Sequence, residues 1–168
     1  MSKIVILSVQ LGTSQILNNL LEEIAGQNPN LAEWLKQLDP LPIIKECVVN
    51  AIDRLGQMPG ISKEANISDY FGNIDYAYNS QLIGALKTDK LPHGLGFKVN
   101  DQGAVEFVAD EYTTEWRQEI KRLRELFTDA FLAEATNSIL TILGYEVVVS
   151  SSLANNGGLF FHLEGVKQ

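Results

Sequence analysis

Two adjacent carboxylates, Asp110 and Glu111, close the stretch GFKVNDQGAVEFVAD-E that begins at residue 96. Paired carboxylates can share general acid–base work, because one can hold a proton while the other accepts one. Acids are also expected just before a helix, where the helix dipole stabilises negative charge. We favour this structural interpretation and keep Asp110 as a candidate site residue.

A second set of candidate site residues is aromatic. Tyr70, Tyr76 and Tyr78 cluster in a segment that contains Gly and Asn, and His93 lies in the turn-like sequence LPHGLG. Exposed tyrosines suit recognition surfaces, since they combine a large apolar ring with a hydrogen-bonding tip. Packing of this segment over a sheet is the interpretation that we prefer. If the protein instead binds a small molecule, these residues and Asp110 are its predicted pocket.

Signals for metals, cofactors and nucleophiles are weak. His162 and Glu164 occupy alternate positions of a predicted strand, so they share a face, but a metal site would need a further ligand. The single cysteine, Cys47, lies in an apolar run, which predicts a buried thiol rather than a catalytic one. Glycine fingerprints of dinucleotide sites and phosphate loops are absent from the sequence. We therefore predict no metal site and no cofactor.

Composition and net charge indicate which classes of partner and which cellular compartment to expect. A chain of 168 residues with 45% hydrophobic residues predicts one globular domain over 1–168. A net charge of −8 argues against nucleic acid and anionic membrane surfaces, because both attract Lys and Arg. The opening run MSKIVILSVQLG is too short to span a bilayer, and a lone cysteine forms no internal disulfide. These features predict a soluble protein of the cytoplasm or of an equivalent reducing compartment.

Apolar residues at helical spacing predict four helices. The predicted helices run from Thr13 to Gly26, over 30–38, from Pro40 to Gly56, and over 113–143. The last of these also interleaves basic and acidic side chains, which predicts a solvent face with salt bridges. The basic and acidic members of that face are Arg117, Lys121, Arg122, Arg124, Glu115, Glu119 and Glu125.

Alternating apolar residues predict the strands. The predicted strands cover 3–11, 94–100, 105–109, 145–149 and 159–163, with two-residue turn chemistry at Asn156-Gly157. Residues 78–87 fit a strand, followed by a turn over 88–93, although periodicity alone also allows a helix there. The segment 100–103 suits a type I turn with Gly103 in the left-handed conformation. We expect an α+β fold: an antiparallel sheet of about six strands covered by the long C-terminal helix and an N-terminal helix.

The hairpin sequence also carries a resemblance. The pattern G-F-x-x-N-x-x-G-x-x-E-x-V-A-D is formed by Gly96, Phe97, Asn100, Gly103, Glu106, Val108, Ala109 and Asp110. Together with the long helix, the GYEVV strand and the last hairpin, it resembles the Ycf-thirty-five-like family of conserved plastid and cyanobacterial proteins, a domain of unknown function. The resemblance covers about 3–25 and 69–165, favours a strand at 78–87, and makes 27–66 a helical insertion. The chain departs from the family at Asp129-Ala130-Phe131, where members usually carry an Arg-Tyr-Ala-like run.

The resemblance implies a fold and one candidate partner, a AAA-type ATPase, but no activity. We therefore expect an uncharacterised accessory or adaptor protein that acts through protein–protein interaction, rather than an enzyme. The inserted helices would pack at an edge of the sheet or offer a surface to the partner. The alternative is a small-molecule-binding or enzymatic domain with a pocket between the sheet and these helices. A deep polar pocket would favour the alternative, and an exposed apolar patch would favour the adaptor.

Overall fold

A computed structural model of the chain describes residues 4–8, 39–142, 144–153 and 159–167. The helices predicted from Thr13 and over 30–38, and the turn at Asn156-Gly157, lie outside the described residues. In chain order the described elements are β1 (Ile4–Ser8), α1 (Pro40–Gly56), β2 (Ser62–Glu64), α2 (Tyr76–Asn79), β3 (Gly84–Thr88), β4 (Leu91–Val99), β5 (Val105–Asp110), α3 (Thr114–Ile142), β6 (Tyr145–Leu153) and β7 (Leu159–Lys167). The predicted α+β class is confirmed.

The described strands form two antiparallel sheets. The larger has five strands in the order β1-β5-β4-β3-β2, and the smaller is the β6–β7 hairpin alone. The strands that we expected in one sheet of about six are thus divided between two. One strand was not predicted at all: β2 forms the edge of the larger sheet inside the segment that we took for a purely helical insertion.

The predicted hairpin of β4 and β5 is confirmed in its strands and its turn. Phe97 pairs with Phe107, and Val99 pairs with Val105. The backbone N–H of Asn100 donates to the carbonyl of Ala104 at 3.0 Å, which closes the turn. Gly103 has a φ of +80°, a conformation that a side chain would strain.

The strand predicted over 78–87 is wrong in its first half. The side chain of Asp75 accepts a hydrogen bond from the backbone N–H of Ala77 at 2.8 Å and caps the helical turn α2. The strand begins only at Gly84. The turn predicted over 88–93 is also shorter, because β4 already begins at Leu91. Local capping by an Asp thus determines the structure where periodicity left two possibilities open.

Helix α1 belongs to the main core rather than to an edge of the sheet. It begins after Asp39, whose side chain accepts from the backbone N–H of Leu41, and its whole apolar stripe is buried against α3 and the sheet. The buried residues of the stripe are Ile44, Cys47, Val48, Ala51, Ile52 and Leu55. Arg54 forms a salt bridge with the buried Glu134 of α3. The expectation that this helix packs at an edge of the sheet is therefore wrong.

The larger sheet is covered on both faces. Beneath α3, the rings of Phe97 and Phe107 lie 4.5 and 5.6 Å from the ring of Phe127. On the opposite face, Ile67, Ala85 and Val108 are buried with Tyr78 and Leu82 packed against them. The segment that follows β2 thus supplies the second layer over the sheet. The same segment contains the loop that begins at Asp69.

Candidate functional site

The candidate residues meet at the end of the larger sheet where β5 stops. Asp110, the last residue of β5, is only 1% exposed. Its Oδ2 accepts a hydrogen bond from the backbone N–H of Tyr70 at 2.9 Å, and its Oδ1 accepts from the backbone N–H of Tyr112 at 3.0 Å. One buried carboxylate therefore holds together two loops that are far apart in sequence.

The rings on these two loops are in contact. The ring of Tyr70 lies 4.4 Å from the ring of Tyr112 and 5.8 Å from that of Trp116, the first aromatic residue of α3. The ring of His93 lies 4.8 Å from the ring of Trp116. The structure thus brings together three predicted site residues, namely Tyr70, His93 and Asp110. Tyr112 and Trp116 were not among the predicted site residues. Trp116 fits the apolar stripe of the long helix, and nothing in the sequence distinguishes Tyr112 as a site residue.

The loop after Asp69 exposes large apolar side chains to solvent. We call them the aromatic surface and define it as Tyr70, Phe71, Ile74, Tyr76 and Tyr112. Their exposed fractions are 44%, 72%, 63%, 83% and 45% respectively. Single exposed apolar residues are ordinary, but four lie within the seven positions 70–76, and the ring of Tyr112 contacts that of Tyr70. Such a concentration of exposed apolar side chains is typical of interaction sites.

The aromatic surface is held in shape by its own backbone hydrogen bonds. The Oδ1 atom of Asp69 accepts from the backbone N–H of Asn73 at 2.8 Å and from that of Phe71 at 2.9 Å. These bonds, led by the one from Asn73, lower the pKa of Asp69 below its ordinary value. The carbonyl of Asp69 also accepts from Gly72 at 2.9 Å. A loop ordered in advance loses less conformational entropy when a partner binds.

The two remaining tyrosines of the prediction have different roles. Tyr78 packs with Leu82 against the buried cluster around Ile67, as expected for a residue that covers the sheet. Asn79 fixes that layer, because its side chain bonds both the N–H and the carbonyl of Ile67, at 2.7 and 3.1 Å. Tyr76 lies apart from the ring cluster and is the most exposed of the large apolar residues described. The five candidates therefore do not line one pocket.

Ser68 and His93 form the arrangement closest to a nucleophile and a base. The Ser68 hydroxyl and Nδ1 of His93 are 2.8 Å apart, and the Ser68 N–H donates to the His93 carbonyl at 2.9 Å. Nucleophilic catalysis also needs a group that orients the base. Within the described part of the chain, this hydroxyl is the sole hydrogen-bonding side chain on the imidazole. The pair therefore fixes β4 to the loop.

The basic stretch of α3 is only partly a solvent face. Arg122 pairs with Glu119 at 2.7 Å, as predicted, but Glu119 is buried and also accepts from the hydroxyl of Thr88 at 2.9 Å. Arg124 lies 5.1 Å above the ring of Phe107 instead of reaching solvent acids. An open depression of about 440 Å³ lies along this helix, and none of the five candidates lines it.

Neither metal ligands nor a membrane span are found within the described ranges. No three His, Cys, Asp or Glu side chains there are grouped closely enough to hold a metal ion. His162 and Glu164 do share the exposed face of β7, as predicted. Cys47 is 1% exposed, and burial raises the pKa of its thiol. Within the same ranges, every helix is too short or too polar to cross a bilayer.

Compared with known proteins, the chain matches no family model, no curated protein and no solved structure. The resemblance to the Ycf-thirty-five-like family therefore stays a prediction. Any function has to be argued from the geometry of this chain.

Proposed function

We propose that this protein is an accessory or adaptor protein and that it binds another protein through the aromatic surface. The observation that carries the proposal is the exposure of Phe71, Ile74 and Tyr76, at 72%, 63% and 83%, on a loop held by the buried Asp110. Burying such side chains against a partner releases the water around them, and aromatic residues dominate binding energies at interfaces.

The charges beside the aromatic surface indicate the chemistry of the partner. Asp69, Asp75 and Glu111 adjoin its aromatic residues in sequence, and the whole chain carries a net charge of −8. An acidic rim around an apolar centre favours a partner segment that places Lys or Arg beside apolar side chains. Arg in particular can stack on exposed tyrosine rings. We therefore infer a basic, partly apolar protein segment as the ligand.

A AAA-type ATPase is the first candidate partner, as the resemblance to the Ycf-thirty-five-like family implies. The plastid or cyanobacterial lineage and the cytoplasmic or stromal location belong to the same proposal. The purified ATPase can be mixed with the chain directly, and binding to its basic surface segments can be measured without cell extracts.

The alternative is a small-molecule-binding or enzymatic domain, and the contact between Ser68 and His93 is the observation that favours it. A serine activated by this histidine would react with a fluorophosphonate probe. Labelling that disappears in Ser68→Ala would support the alternative. An unlabelled protein would favour the adaptor.

Site-specific photo-crosslinking tests the adaptor proposal. A photoreactive phenylalanine analogue replaces Phe71 in one variant and Val49 in the control. Val49 lies on α1 and is 39% exposed. The proposal expects one defined protein to be crosslinked from position 71 and not from position 49. The same products from both positions, or none from position 71, would contradict it.

A further inference from the structure

The β6–β7 hairpin is a sheet with two long open edges. Each strand has nine residues, and in the described part of the chain each pairs only with the other. A two-stranded sheet is marginally stable by itself, and a long open edge invites a further strand. Natural proteins protect such edges with Pro, with bulges or with very short strands. The sequence of β7, LFFHLEGVK, contains no Pro, and its pairing with β6 is regular throughout.

The two faces of the hairpin differ. The inner face contacts α3 and packs Phe161 against the main core. The outer face is exposed along both strands, including Val148 at 65%, Phe160 at 67% and Val166 at 63%. Among the described residues, the hairpin thus has one face supported by α3, one exposed face that is partly apolar, and no further strand paired to either edge.

We propose that the β7 edge is a homodimer interface, in which a second copy of this chain adds its own β7 antiparallel about a two-fold axis at Leu163. Leu163 is the midpoint of the nine residues of β7. A two-fold axis there pairs every residue of the strand with a residue of the other copy. Two hairpins would then form one continuous four-stranded sheet, which removes both β7 edges at once.

The outer face of β7 is self-complementary in this register. His162 of each copy stands opposite Glu164 of the other, so an imidazole N–H can donate to a carboxylate twice in the dimer. Phe160 of each copy stands opposite Val166 of the other, which pairs an aromatic ring with a β-branched side chain. Opposite-charge pairs and aromatic pairs with β-branched residues are both favourable across antiparallel strands. Every contact occurs twice, as symmetry requires.

The inner face is complementary in the same register. Phe161 of each copy stands opposite Gly165 of the other, a pair that brings no like charges together. The two copies of Leu163 face each other at the axis. The sequence of β7 therefore matches itself on both faces.

Two-fold axes at the neighbouring residues of β7, or at the midpoint of β6, do not give complementary pairs. An axis at Glu164 would place two carboxylates face to face, and an axis at His162 would oppose two imidazoles. The β6 edge offers no comparable match, because an axis at its midpoint, Val149, sets Val148 against Ser150. Like charges directly opposite each other destabilise a sheet, whereas opposite charges stabilise it. The β7 edge is therefore more self-complementary than the β6 edge, and Leu163 is a better position for the axis than His162 or Glu164.

Sedimentation equilibrium of the full chain, with charge exchange at His162 and Glu164, tests the interface. The wild type is expected to dimerise. His162→Glu and Glu164→His should each weaken dimerisation by roughly tenfold, since each change affects two symmetric pairs. The double exchange, His162→Glu with Glu164→His, restores opposite partners and should restore the dimer. The control Val49→Glu adds a negative charge on α1, outside the hairpin, and should leave dimerisation unchanged.

A monomeric wild type would overturn the proposal, and so would a double exchange that stays as weak as the single variants. Thermal unfolding of each variant separates these outcomes from misfolding. This test does not involve the aromatic surface, so it can fail while the proposed adaptor function stands.

Mixed disulfide crosslinking tests the register directly. Phe160→Cys and Val166→Cys are prepared separately and mixed under mild oxidation. Directly opposite residues in an antiparallel pair have Cα atoms about 4.5 to 5.5 Å apart, within reach of a disulfide. The mixture should form a crosslinked dimer of the two variants. Each variant oxidised by itself is the control and should not crosslink, because identical positions lie six residues apart along the paired strands; equal crosslinking in the mixture and in the single variants would contradict the Leu163 axis.

Discussion

The rings of Tyr70 and Tyr112 lie 4.4 Å apart because the backbone amides of both residues donate to the carboxylate of Asp110. The two tyrosines are far apart in sequence, and neither loop has regular secondary structure at that point. A charged acceptor at the buried end of β5 therefore positions the surface that we propose for binding. Hydrogen bonds to a charged group are stronger than neutral ones, which suits this role.

Removing this acceptor should separate the two loops. We expect Asp110→Ala to lower the free energy of unfolding by about 3 kcal/mol, because two amide donors lose a charged acceptor. The near-ultraviolet circular dichroism of the ring cluster should weaken as well. Urea denaturation and the aromatic dichroism spectrum measure the two effects.

Asp39→Ala is the matched control, since Asp39 also accepts a backbone N–H but is exposed and caps α1, which contains no aromatic residue. It should cost only about 1 kcal/mol, as loss of a helix cap does, and leave the aromatic signal unchanged. Equal losses in the two variants would mean that Asp110 has no special role in holding the loops.

Gly96 should be required by the layer that carries the aromatic loop. A Cβ atom at this position would lie 2.8 Å from both Cδ atoms of Leu82. We expect Gly96→Ala to lower the free energy of unfolding by about 1 to 2 kcal/mol, because Leu82 must leave its site on the sheet. Chemical denaturation of Gly96→Ala, Leu82→Ala and the double variant forms a cycle. The double variant should be more stable than the sum of the two losses implies, and strict additivity would contradict the contact.

Glu119 should make the stability of the fold depend on acid. Hydrogen bonds from Arg122 lower the pKa of Glu119 below its ordinary 4.5, although burial opposes the shift. The folded protein therefore holds this proton less tightly than the unfolded chain. The stabilisation is fully present above the ordinary value and is lost as the pH falls through the lowered pKa. Glu119→Gln should thus cost about 1 kcal/mol at neutral pH and progressively less in acid. A difference that stays constant across this pH range would rule out the linkage.

Ionisation of Asp129 should have the opposite effect on the stability of the fold. Burial, together with the charge of Glu125, raises the pKa of Asp129 above its ordinary 3.8. The folded protein then holds this proton more tightly than the unfolded chain, so ionisation destabilises the fold at neutral pH. We expect Asp129→Asn to raise the free energy of unfolding by about 0.3 kcal/mol at neutral pH and by nothing below the ordinary value. Chemical denaturation at neutral pH and at a pH below 3.8 measures this gain in stability. A loss of stability at neutral pH would contradict it.

The sequence predicted those elements whose pattern and turn chemistry agree. Alternation on both sides of Gly103 determined β4 and β5, and the spacing of apolar residues determined α1 and α3. Patterns did not determine where side chains bond across the chain. Glu119 reads as one of several surface charges, yet it accepts a hydrogen bond from the hydroxyl of Thr88 at the end of β3.

The candidate site was only half predictable for the same reason. The three tyrosines were chosen as one cluster in the sequence, and His93 and Asp110 as separate candidates. The fold brings Tyr70, His93 and Asp110 together. Tyr76 and Tyr78 were chosen for their proximity in sequence, but the cap at Asp75 turns their segment so that one side chain is exposed and the other covers the sheet. Sequence gives the type of side chain, whereas tertiary contacts decide which face it occupies.

Isothermal titration of the crosslinked partner against three forms of the protein tests the proposed binding surface most directly. The forms are the wild type, Phe71→Ser within the aromatic surface, and Val49→Ser on α1 as the control outside that surface. We expect Phe71→Ser to weaken binding by at least about tenfold, as truncation of an aromatic anchor does, and Val49→Ser to bind as the wild type. Equal affinities for the wild type and Phe71→Ser would contradict the account.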